Sequence, residues 1–428
     1  MTSLNPPANQ LHSEIDGASL KRNAPGLHVP QPKYRPGDEP DFSAMTFPEA
    51  GETPRPPLDL KSDDSMPYAN GLVRVLTFEG NAVGPWNPSI LPDQLRAGLT
   101  HMVTTRIYDD RMALVQRQGK SSFYMKCTGE EAVSVAQAMA LRADDMLFPT
   151  YRQQGLLIAR GRPIVDMMCH CLSNTGDNLK GRQMPVFYSW REGNFFSISG
   201  NLGTQYSQAV GWAMASAYKG EDAVASAWVG EGATAEADVH YAMTFATVYQ
   251  APVILNIVNN QWAISSFQGI AGGETSTFAE RGLGYGLPGL RVDGNDFLAV
   301  YAATQWAAER ARMGYGASVL ELFTYRADAH STSDDPNKYR PKNEAAIWPL
   351  GDPIDRLKQH LIKIGEWSED HHAALVEKTK TKVRDDFLRA ESMGTLDSGP
   401  RIDPKTMFED VYQDMPPHLR RQRQQFGF

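Results

Sequence analysis

The sequence predicts an α/β fold, a parallel sheet with helices on both faces. Two uninterrupted apolar runs, AVASAWV (223–229) and PVILNIV (252–258), enclose a segment with helical spacing of apolar residues. A similar order of strand, helix and strand follows in residues 289–326. Strands that lack polar alternation are typical of parallel sheets buried on both sides. The 428 residues are enough for two or three packing units, or for one large α/β domain with additions.

The first 75 residues contain 12 of the 28 prolines and little periodicity, so they cannot form a core of their own. They are either disordered or an extended arm laid over a larger surface. One short strand is predicted between Tyr68 and Gly80. We therefore expect three regions: an extended arm (1–75), an α/β domain (76–350), and C-terminal helices with a tail (351–428).

Helix signals follow in chain order. Asp93 is the expected N-cap of a helix that ends near Gly119, and residues 129–141 form a second helix. Residues 144–155 predict a short strand and a turn, and 203–218 an alanine-rich helix. Asp296 and Asp352 are expected to cap later helices, and a last long helix spans 368–393. The basic end, PPHLRRQRQQFGF, is either solvated or a strap that binds a partner.

Composition excludes several classes of protein. A net charge of −8 disfavours a general nucleic-acid binder, and no apolar run is long enough for a membrane span. Three cysteines are too few for a disulfide framework, which predicts a reducing compartment. Cys169-His170-Cys171 has no fourth ligand at useful spacing, so packing is favoured over metal binding. Without a targeting signal in the sequence, we expect a cytoplasmic protein, or a matrix protein if the source has mitochondria.

Polar residues follow two apolar strands at their carboxyl ends. Glu231 comes after the first strand, and the pair Asn259-Asn260 after the second. Because parallel strands end at one edge of a sheet, these side chains should meet. Carboxylate and amide oxygens suit Mg²⁺, whose remaining positions are often filled by phosphate oxygens.

The same stretch has features that suit an anion. Gly230 and Gly232 allow close approach to a phosphate, and a helix expected to begin near Thr234 would offer free N–H groups. The alternatives are a plain turn with a surface Asn pair, or a dinucleotide site at GLGYGLPG (282–289). That glycine-rich run does not stand between a strand and a helix, so we discount it.

The order of Gly-Glu-Gly, helix, apolar strand and Asn-Asn resembles the thiamine diphosphate motif. The wider chain resembles the alpha subunit of the decarboxylating component of 2-oxo acid dehydrogenase complexes, the branched-chain type more than the pyruvate type. The segments that carry the resemblance are TYRQQG, KGRQMP, TQYSQAVG, GEGATAEAD, VNNQWAISS, RVDGND, TYRADAHSTSDDPNKYR and MPPHLRRQ. The resemblance implies a thiamine diphosphate-binding fold and decarboxylation of branched-chain 2-oxo acids.

The resemblance also implies roles for individual residues. Magnesium would be held by Glu231, Asn260 and the carbonyl of Trp262. The remaining cofactor contacts would come from Tyr151, Arg152, Leu202, Gly230, Gly232, Ala233, Arg326 and His330, with Leu202 beside the aminopyrimidine ring and His330 also near the reaction centre. A possible K⁺ loop would comprise Ser199, Asn201, Thr204 and Gln205.

Some positions depart from the pattern of related enzymes. Asn201 is not the usual residue of the cation loop, and many thiamine enzymes have Asp where Glu231 stands. Val258 occupies a position where some relatives have an arginine that contacts phosphate. Ser331 matches a serine that is phosphorylated in animal relatives, and we interpret it as a pocket-loop serine.

Thiamine diphosphate normally needs a carboxylate against its aminopyrimidine ring, and no glutamate here stands in a recognisable motif for that task. The family places that glutamate on a beta subunit, which implies an α2β2 assembly that passes acyl groups to a lipoyl-bearing transacylase. His330 is the residue expected to assist this transfer, or else only a hydrogen-bond donor to phosphate. The competing functions are a pyruvate or acetoin dehydrogenase alpha subunit and a non-catalytic scaffold.

Overall fold

The structure, a computed structural model, describes residues 27–428 and confirms the predicted α/β fold. In this part of the chain the α-helices are α1 (Met66–Asn70), α2 (Pro92–Arg117), α3 (Glu131–Ala140), α4 (Gln154–Ala159), α5 (Ile164–Leu172), α6 (Thr204–Tyr218), α7 (Ala237–Val248), α8 (Phe297–Arg312), α9 (Pro353–Lys363), α10 (Glu369–Ser392) and α11 (Pro417–Gln425). The strands are β1 (Met146–Phe148), β2 (Ala225–Gly230), β3 (Val253–Asn259), β4 (Trp262–Ala263), β5 (Ser266–Phe267), β6 (Gly289–Asp293) and β7 (Ser318–Phe323).

Five strands form one parallel sheet in the order β1-β2-β3-β7-β6, and β4 and β5 form a separate two-residue antiparallel pair. β2 and β3 are neighbours, and Gly230 lies opposite Val258 in their register. β7 lies on the other side of β3, with Phe323 opposite Asn259. The carboxyl ends of β2, β3 and β7 therefore meet at one edge.

The central strands supply side chains to a separate apolar core on each face of the sheet. On β3, Ile254 and Val258 join one core, whereas Val253, Leu255 and Ile257 join the other. The first core is covered by helices that include α2, α3, α5 and α8, and the second by α6 and α7. This two-sided burial explains why the strands lack polar alternation.

The two helix caps predicted at Asp296 and Asp352 are confirmed, and Ser368 is a cap that was not predicted. Asp296 accepts hydrogen bonds from two backbone N–H groups of α8, Asp352 does the same for α9, and Ser368 caps α10. The prediction for Asp93 is wrong, because the N-cap of α2 is Leu91, two residues earlier, and Asp93 lies in the first turn. Here the Gln94 side chain reaches back to accept from the Leu91 N–H at 3.2 Å, so the cap comes from N3.

The short strand predicted between Tyr68 and Gly80 is also wrong as a strand. Its first residues belong to α1, and Val73 makes one isolated parallel bridge to Val292 at the β6 edge. Four apolar residues of this segment, Leu72, Val73, Val75 and Leu76, are nevertheless buried, whereas Phe78 is exposed. Val75 and Leu76 donate their N–H groups to the carboxylate of Asp296. Hydrogen bonds to a side chain replace those of a strand.

The described part of the N-terminal arm lies on the α/β domain. Trp86 and Trp306 donate their indole N–H groups to the carbonyls of Pro54 and Pro56, each at 3.0 Å. Arg310 donates to the carbonyl of Leu60 at 2.9 Å. Proline carbonyls are free to accept, so a proline-rich segment is held through its oxygens. Residues 1–26 of the predicted arm lie outside the described residues.

A third core is mainly aromatic and joins the arm to the sheet edge. It contains Leu72, Trp262, Phe323, Tyr325, Tyr339, Trp348 and Leu350, with Phe42, Met45 and Phe47 packed against it. The Trp262 ring lies 5.2 Å from that of Tyr339, and the Phe42 ring 5.5 Å from that of Trp348 (centroid distances).

The C-terminal helices share the first core, to which α9 contributes Leu357 and Leu361 and α10 contributes Val383 and Phe387. The tail is different, because α11 buries none of its residues. It is held by ion pairs such as Lys180 with Glu409, whose charged atoms are 3.0 Å apart. Whether this basic end straps a partner stays a prediction.

The three cysteines are free and buried. His170 lies between Asp177 (3.3 Å) and the carbonyl of Met184 (3.0 Å), and Cys171 contacts the Tyr188 hydroxyl at 3.2 Å. Within residues 27–428 no cluster of three or more His, Cys, Asp or Glu side chains could hold a metal ion. None of the described helices is both long and apolar enough to span a membrane.

Candidate active site

The edge where β2 and β3 end brings together the residues on which the sequence argument depends. Glu231 follows β2 and Asn260 follows β3. The backbone N–H of Asn260 donates to Oε2 of Glu231 at 3.4 Å, and both residues line the same cavity. Asn259 points elsewhere and donates to the buried carboxylate of Glu321 at 2.8 Å. Only Asn260 of the pair therefore faces the candidate site.

Glu231 is a buried carboxylate with one free oxygen. Its Oε1 has no hydrogen-bond partner among residues 27–428. Burial raises the pKa of Glu231 to about 7, and the nearby Glu130 adds to the effect. A buried, incompletely bonded carboxylate is costly unless a ligand completes it. This free oxygen is therefore what a cation site requires.

Glu130, just before α3, is a residue that the sequence reasoning missed. It is 1% exposed and accepts a hydrogen bond from Nδ2 of Asn260 at 2.8 Å. Its Oε2 lacks a hydrogen-bond partner in the described part of the chain. Burial raises the pKa of Glu130 to about 7. The preceding residue, Gly129, has φ +94°. A glycine just before the helix was therefore the one local sequence feature that pointed to a special backbone conformation here.

Trp262 and Arg326 lie next to each other at the loop after β3. The carbonyl of Trp262 accepts from Nη1 of Arg326 at 2.8 Å, and that of Ile264 accepts from Nη2 at 2.8 Å. Arg326 also donates to the Tyr339 hydroxyl at 2.7 Å. Its guanidinium is thus used within the protein, so Arg326 holds the loop after β3 and is not an open contact for a diphosphate.

His330 is held between two guanidinium groups. Its Nδ1 lies 3.2 Å from Nη2 of Arg152 and 3.3 Å from Nη1 of Arg326. Because arginine only donates, Nδ1 must accept, and the proton of the neutral ring is on Nε2. Burial and these two cations lower the pKa of His330 to about 3. The ring is therefore a neutral N–H donor at ordinary pH.

These residues surround a cavity of about 320 Å³, a size that suits a small organic cofactor. The predicted lining residues that it includes are Tyr151, Arg152, Leu202, Gln205, Gly230, Glu231, Gly232, Ala233, Asn260, Trp262 and His330. Arg326 does not line it. Tyr151 stacks on Phe187 and meets the edge of His330, with ring centroids 6.2 and 5.8 Å apart. Leu202 is 41% exposed at the mouth.

Positive charge in the cavity is limited. Among the lining residues in the described chain, Arg152 is the one arginine or lysine, and Val258 is buried in the wall. Arg152 also donates to the carbonyl of His330 at 3.0 Å. Ser331 lies beside His330, buried, and accepts from the N–H of Ser333 at 3.2 Å. No structural substitute for an arginine at position 258 is seen in the lining.

The helix expected to begin near Thr234 does not begin there. Residues Gly232–Ala235 form a 3-10 turn, and α7 starts at Ala237. The Thr234 hydroxyl bonds back to the carbonyl of Glu231, and Arg281 donates to the Thr234 carbonyl at 3.0 Å. These local bonds compete with the helix and delay its start. An anion here would meet a turn instead of the first turn of a long helix.

Three of the four residues predicted for the cation loop, Ser199, Asn201 and Thr204, are linked by hydrogen bonds. The N–H of Asn201 donates to the Ser199 hydroxyl, and the Thr204 hydroxyl donates to the Asn201 carbonyl, both at 3.0 Å. Gln205 turns away and donates to the carbonyl of Trp228 at 2.7 Å. The loop is compact, with Asn201 exposed.

The carboxylates that line the cavity within residues 27–428 are Glu130 and Glu231. Both lie beside Asn260, at the proposed metal end. The exposed end near Leu202 has no carboxylate in this part of the chain. A carboxylate for the aminopyrimidine ring would have to come from outside the described residues.

Comparison with known proteins gives two family matches and several relatives that match most of the chain. A model described as "Dehydrogenase E1 component" matches residues 99–398, and "2-oxoisovalerate dehydrogenase E1 alpha subunit N terminal" matches residues 23–63. The 2-oxoisovalerate dehydrogenase subunit alpha of Pseudomonas aeruginosa is 58% identical over 94% of this chain and 98% of its own. The mitochondrial human protein of that name is 39% identical (82% and 78% covered), and the 3-methyl-2-oxobutanoate dehydrogenase subunit alpha of Mycobacterium tuberculosis 38% (78% and 87%).

Proposed function

Because the chain belongs to the dehydrogenase E1 component family, we propose that it is the alpha subunit of a branched-chain 2-oxo acid dehydrogenase. Three relatives that match most of the chain are named as alpha subunits of 2-oxoisovalerate or 3-methyl-2-oxobutanoate dehydrogenase. The enzyme depends on thiamine diphosphate. The observation that supports this site for the cofactor is the contact between Asn260 and Glu231 at the carboxyl edge of the sheet.

Magnesium fits the donor set at this edge. Glu231 has a buried oxygen without a partner in the described chain, and Asn260 and Trp262 offer neutral oxygens next to it. Mg²⁺ prefers one or two carboxylates with neutral oxygens, and phosphates or waters complete its shell. We assign the ion to Glu231, Asn260 and the Trp262 carbonyl. Arg326 supports the last of these by fixing the loop.

The chain's part in catalysis is to hold and orient the cofactor. Bound thiamine diphosphate supplies the electron-accepting chemistry by which a 2-oxo acid loses CO₂. Arg152 and His330 line the cavity, and we assign them as donors for the diphosphate end, His330 through the N–H at Nε2. Gly230 and Gly232 keep the turn free of side chains, and Tyr151 and Leu202 line the apolar part towards the mouth.

His330 is also proposed to assist transfer of the acyl group to the lipoyl arm. The neutral ring, with Nδ1 engaged by two arginines, supports a role as a donor at Nε2 and not as a base. The test is His330→Ala in the assembled enzyme. Retained decarboxylation with an artificial acceptor and lost lipoyl acylation would support the transfer role, and unchanged acylation would remove it.

The missing carboxylate supports a beta subunit as the partner, in an α2β2 assembly that serves a lipoyl-bearing transacylase. Names with "subunit alpha" imply a multisubunit enzyme. The test is co-expression with a beta-type subunit and comparison of rates on 3-methyl-2-oxobutanoate and pyruvate. A clear preference for pyruvate would replace the branched-chain assignment by a pyruvate dehydrogenase, and no thiamine diphosphate binding by the assembly would indicate a scaffold.

Two further assignments complete the proposal. The compact loop of Ser199, Asn201 and Thr204 is proposed to hold K⁺, and Gln205, the fourth predicted residue, instead donates to the Trp228 carbonyl. In that case, replacing K⁺ with a large organic cation in the buffer would lower cofactor affinity in the assembled enzyme. The three free cysteines support a reducing compartment such as the bacterial cytoplasm.

A further inference from the structure

A buried carboxylate without a role in the function proposed above lies directly behind the metal ligand Asn260. Glu130 is 1% exposed and stands at the N-cap of α3. One of its oxygens, Oε1, accepts from Nδ2 of Asn260 at 2.8 Å. The other, Oε2, is buried and has no hydrogen-bond partner among residues 27–428, although it belongs to a side chain that lines the cofactor cavity. A buried acceptor without a donor calls for an explanation.

The orientation of the Asn260 amide follows from its two neighbours. The backbone N–H of Trp262 lies 3.3 Å from one end of the amide and can only donate, so that end is the oxygen. The NH₂ end then faces Glu130. Without an acceptor at position 130, the NH₂ group would lose its protein partner, and the amide would be free to rotate away from the ion.

The next residue, Glu131, forms hydrogen bonds within the protein through both of its carboxylate oxygens. Glu131 accepts from Nε of Arg106 at 2.7 Å and from the N–H of Gly129 at 2.9 Å, so both of its oxygens are engaged. It is as buried as Glu130 but does not line the cavity. Two adjacent glutamates of equal burial thus differ in whether the cofactor site uses them. Glu131 is therefore a matched control for Glu130.

We propose that Glu130 is a positioning residue of the metal site. Its Oε1 holds the Asn260 amide so that Oδ1 faces the ion, and its Oε2 accepts a hydrogen bond from a water molecule on the ion. Magnesium usually keeps several waters in its shell, and groups that orient metal ligands often control affinity as strongly as the ligands do. This inference rests on the proposed function, because it needs a magnesium ion at Glu231 and Asn260.

The test is a Mg²⁺ titration of the assembled enzyme at saturating thiamine diphosphate, followed by tryptophan fluorescence. Glu130→Ala should raise the half-saturating Mg²⁺ concentration by roughly 10–100-fold. Glu130→Gln can still accept from Asn260 but offers an N–H where Oε2 was, so its value should lie between wild type and Glu130→Ala. Glu131→Gln should lower the melting temperature and leave the Mg²⁺ requirement unchanged.

The possible outcomes distinguish a wrong role for Glu130 from a wrong proposed function. A Glu130→Ala titration that superimposes on wild type would overturn the inference, while Mg²⁺-dependent binding by wild type would keep the proposed function. No Mg²⁺-dependent binding by wild type would overturn the function itself. Glu130→Gln equal to wild type, with Glu130→Ala impaired, would support the hold on Asn260 and reject the water contact. If Glu130→Ala fails to fold, the isosteric Glu130→Gln decides: a titration equal to wild type overturns the water contact.

Discussion

Two buried glutamates at the same sheet edge differ in what their oxygens meet. Glu321 on β7 accepts from Asn259 at 2.8 Å and from the N–H of Ala279 at 2.9 Å, so both oxygens are bonded. Glu231 has an oxygen without a partner among residues 27–428. The first stabilises the fold, and the second imposes a cost on the ligand-free chain that a bound cation would offset.

We predict opposite effects for the two isosteric substitutions. Glu231→Gln should raise the free energy of unfolding of the ligand-free chain at pH 8 by about 1–3 kcal/mol, because it removes a buried charge. It should also abolish the rise in melting temperature caused by Mg²⁺ with thiamine diphosphate. Glu321→Gln should destabilise the chain instead. Calorimetry with and without ligand measures both, and a less stable Glu231→Gln would contradict the assignment.

The pH dependence of stability follows with a definite sign. The folded pKa of Glu231 is about 7 and its ordinary value is 4.5. The unfolded chain therefore releases this proton first, and stability from Glu231 is present below pH 4.5 and lost as the pH rises through 7. We predict that the ligand-free wild type loses more stability between pH 5 and 8 (range set by these pKa values) than Glu231→Gln does. Parallel curves for the two proteins would refute this.

His330 should behave in the opposite sense. Its folded pKa is about 3, below the ordinary 6.5, so its stability contribution is present above 6.5 and lost as the pH falls towards 3. His330→Gln should flatten that acid loss and retain part of the cofactor affinity, because glutamine keeps an N–H near Nε2. His330→Ala should weaken cofactor binding by roughly 10–100-fold, the value of a hydrogen bond to a charged group. Isothermal titration measures this, and equal affinities for both variants would argue against a donor at Nε2.

Residues at strand ends could be predicted from the sequence, and residues behind them could not. Glu231 and Asn260 each follow an apolar strand, so local pattern and sheet geometry suffice. Glu130 is 130 positions from Asn260, and its role depends on how α3 packs beside the sheet. Arg326 was expected near the cofactor, but its donors are taken by backbone carbonyls, which no pattern reveals.

At the scale of elements, the turn after β2 packs tightly against β4. A Cβ added at Gly232 would come within 2.4 Å of the Ala263 Cβ in β4, whereas one added at Gly230 would meet no described atom within 4 Å. Neither glycine has a positive φ, so space and not backbone conformation distinguishes them. β4 also contains Trp262, whose carbonyl is a proposed metal ligand.

We therefore predict that Gly232→Ala displaces β4 and raises the Mg²⁺ concentration needed for cofactor binding. The ligand-free chain should also lose about 1–3 kcal/mol of stability, as is usual for overpacking. Gly230→Ala should leave the ligand-free melting temperature unchanged. Thermal denaturation and a Mg²⁺ titration measure these effects. Equal melting temperatures for both alanine variants would show that the turn adapts without strain.

The elements that were predicted correctly are those with a strong periodic or apolar signal. The sequence located β2, α7 and β3 and the capped helices α8 and α9, but α7 begins three residues later than expected. Local side-chain bonds of Thr234 decide that start. The strand order β1-β2-β3-β7-β6 could not be predicted from the sequence, because it depends on contacts between residues far apart in the chain.

At the scale of the whole molecule, the cavity is complete at one end only. The end proposed to bind the metal has two buried glutamates, and the mouth has the half-exposed Leu202 and no lining carboxylate from the described residues. We predict that the isolated chain binds thiamine diphosphate weakly and does not decarboxylate 3-methyl-2-oxobutanoate. Added beta subunit should restore both, as CO₂ release and titration calorimetry would record. Appreciable turnover by the isolated chain would contradict this.

The fold class and the family resemblance could be predicted for most of the chain because they depend on many short segments in a fixed order. The extent to which the three predicted regions share a core could not be predicted from the sequence. Leu60 of the arm and Leu357 and Phe387 of the C-terminal helices belong to the same core as the sheet strand residue Ile254. Such sharing depends on three-dimensional packing between segments hundreds of residues apart.

Trp262 belongs to two environments. Its carbonyl lies at the proposed ion position, and its indole lies in the aromatic core that Phe42, Met45 and Phe47 of the arm help to cover. Removal of the proline-rich arm to ease crystallisation would therefore also remove packing that supports a proposed metal ligand. A shortened version with poor cofactor retention would then report on lost aromatic packing, and should not be read as evidence that the removed residues touch the cofactor.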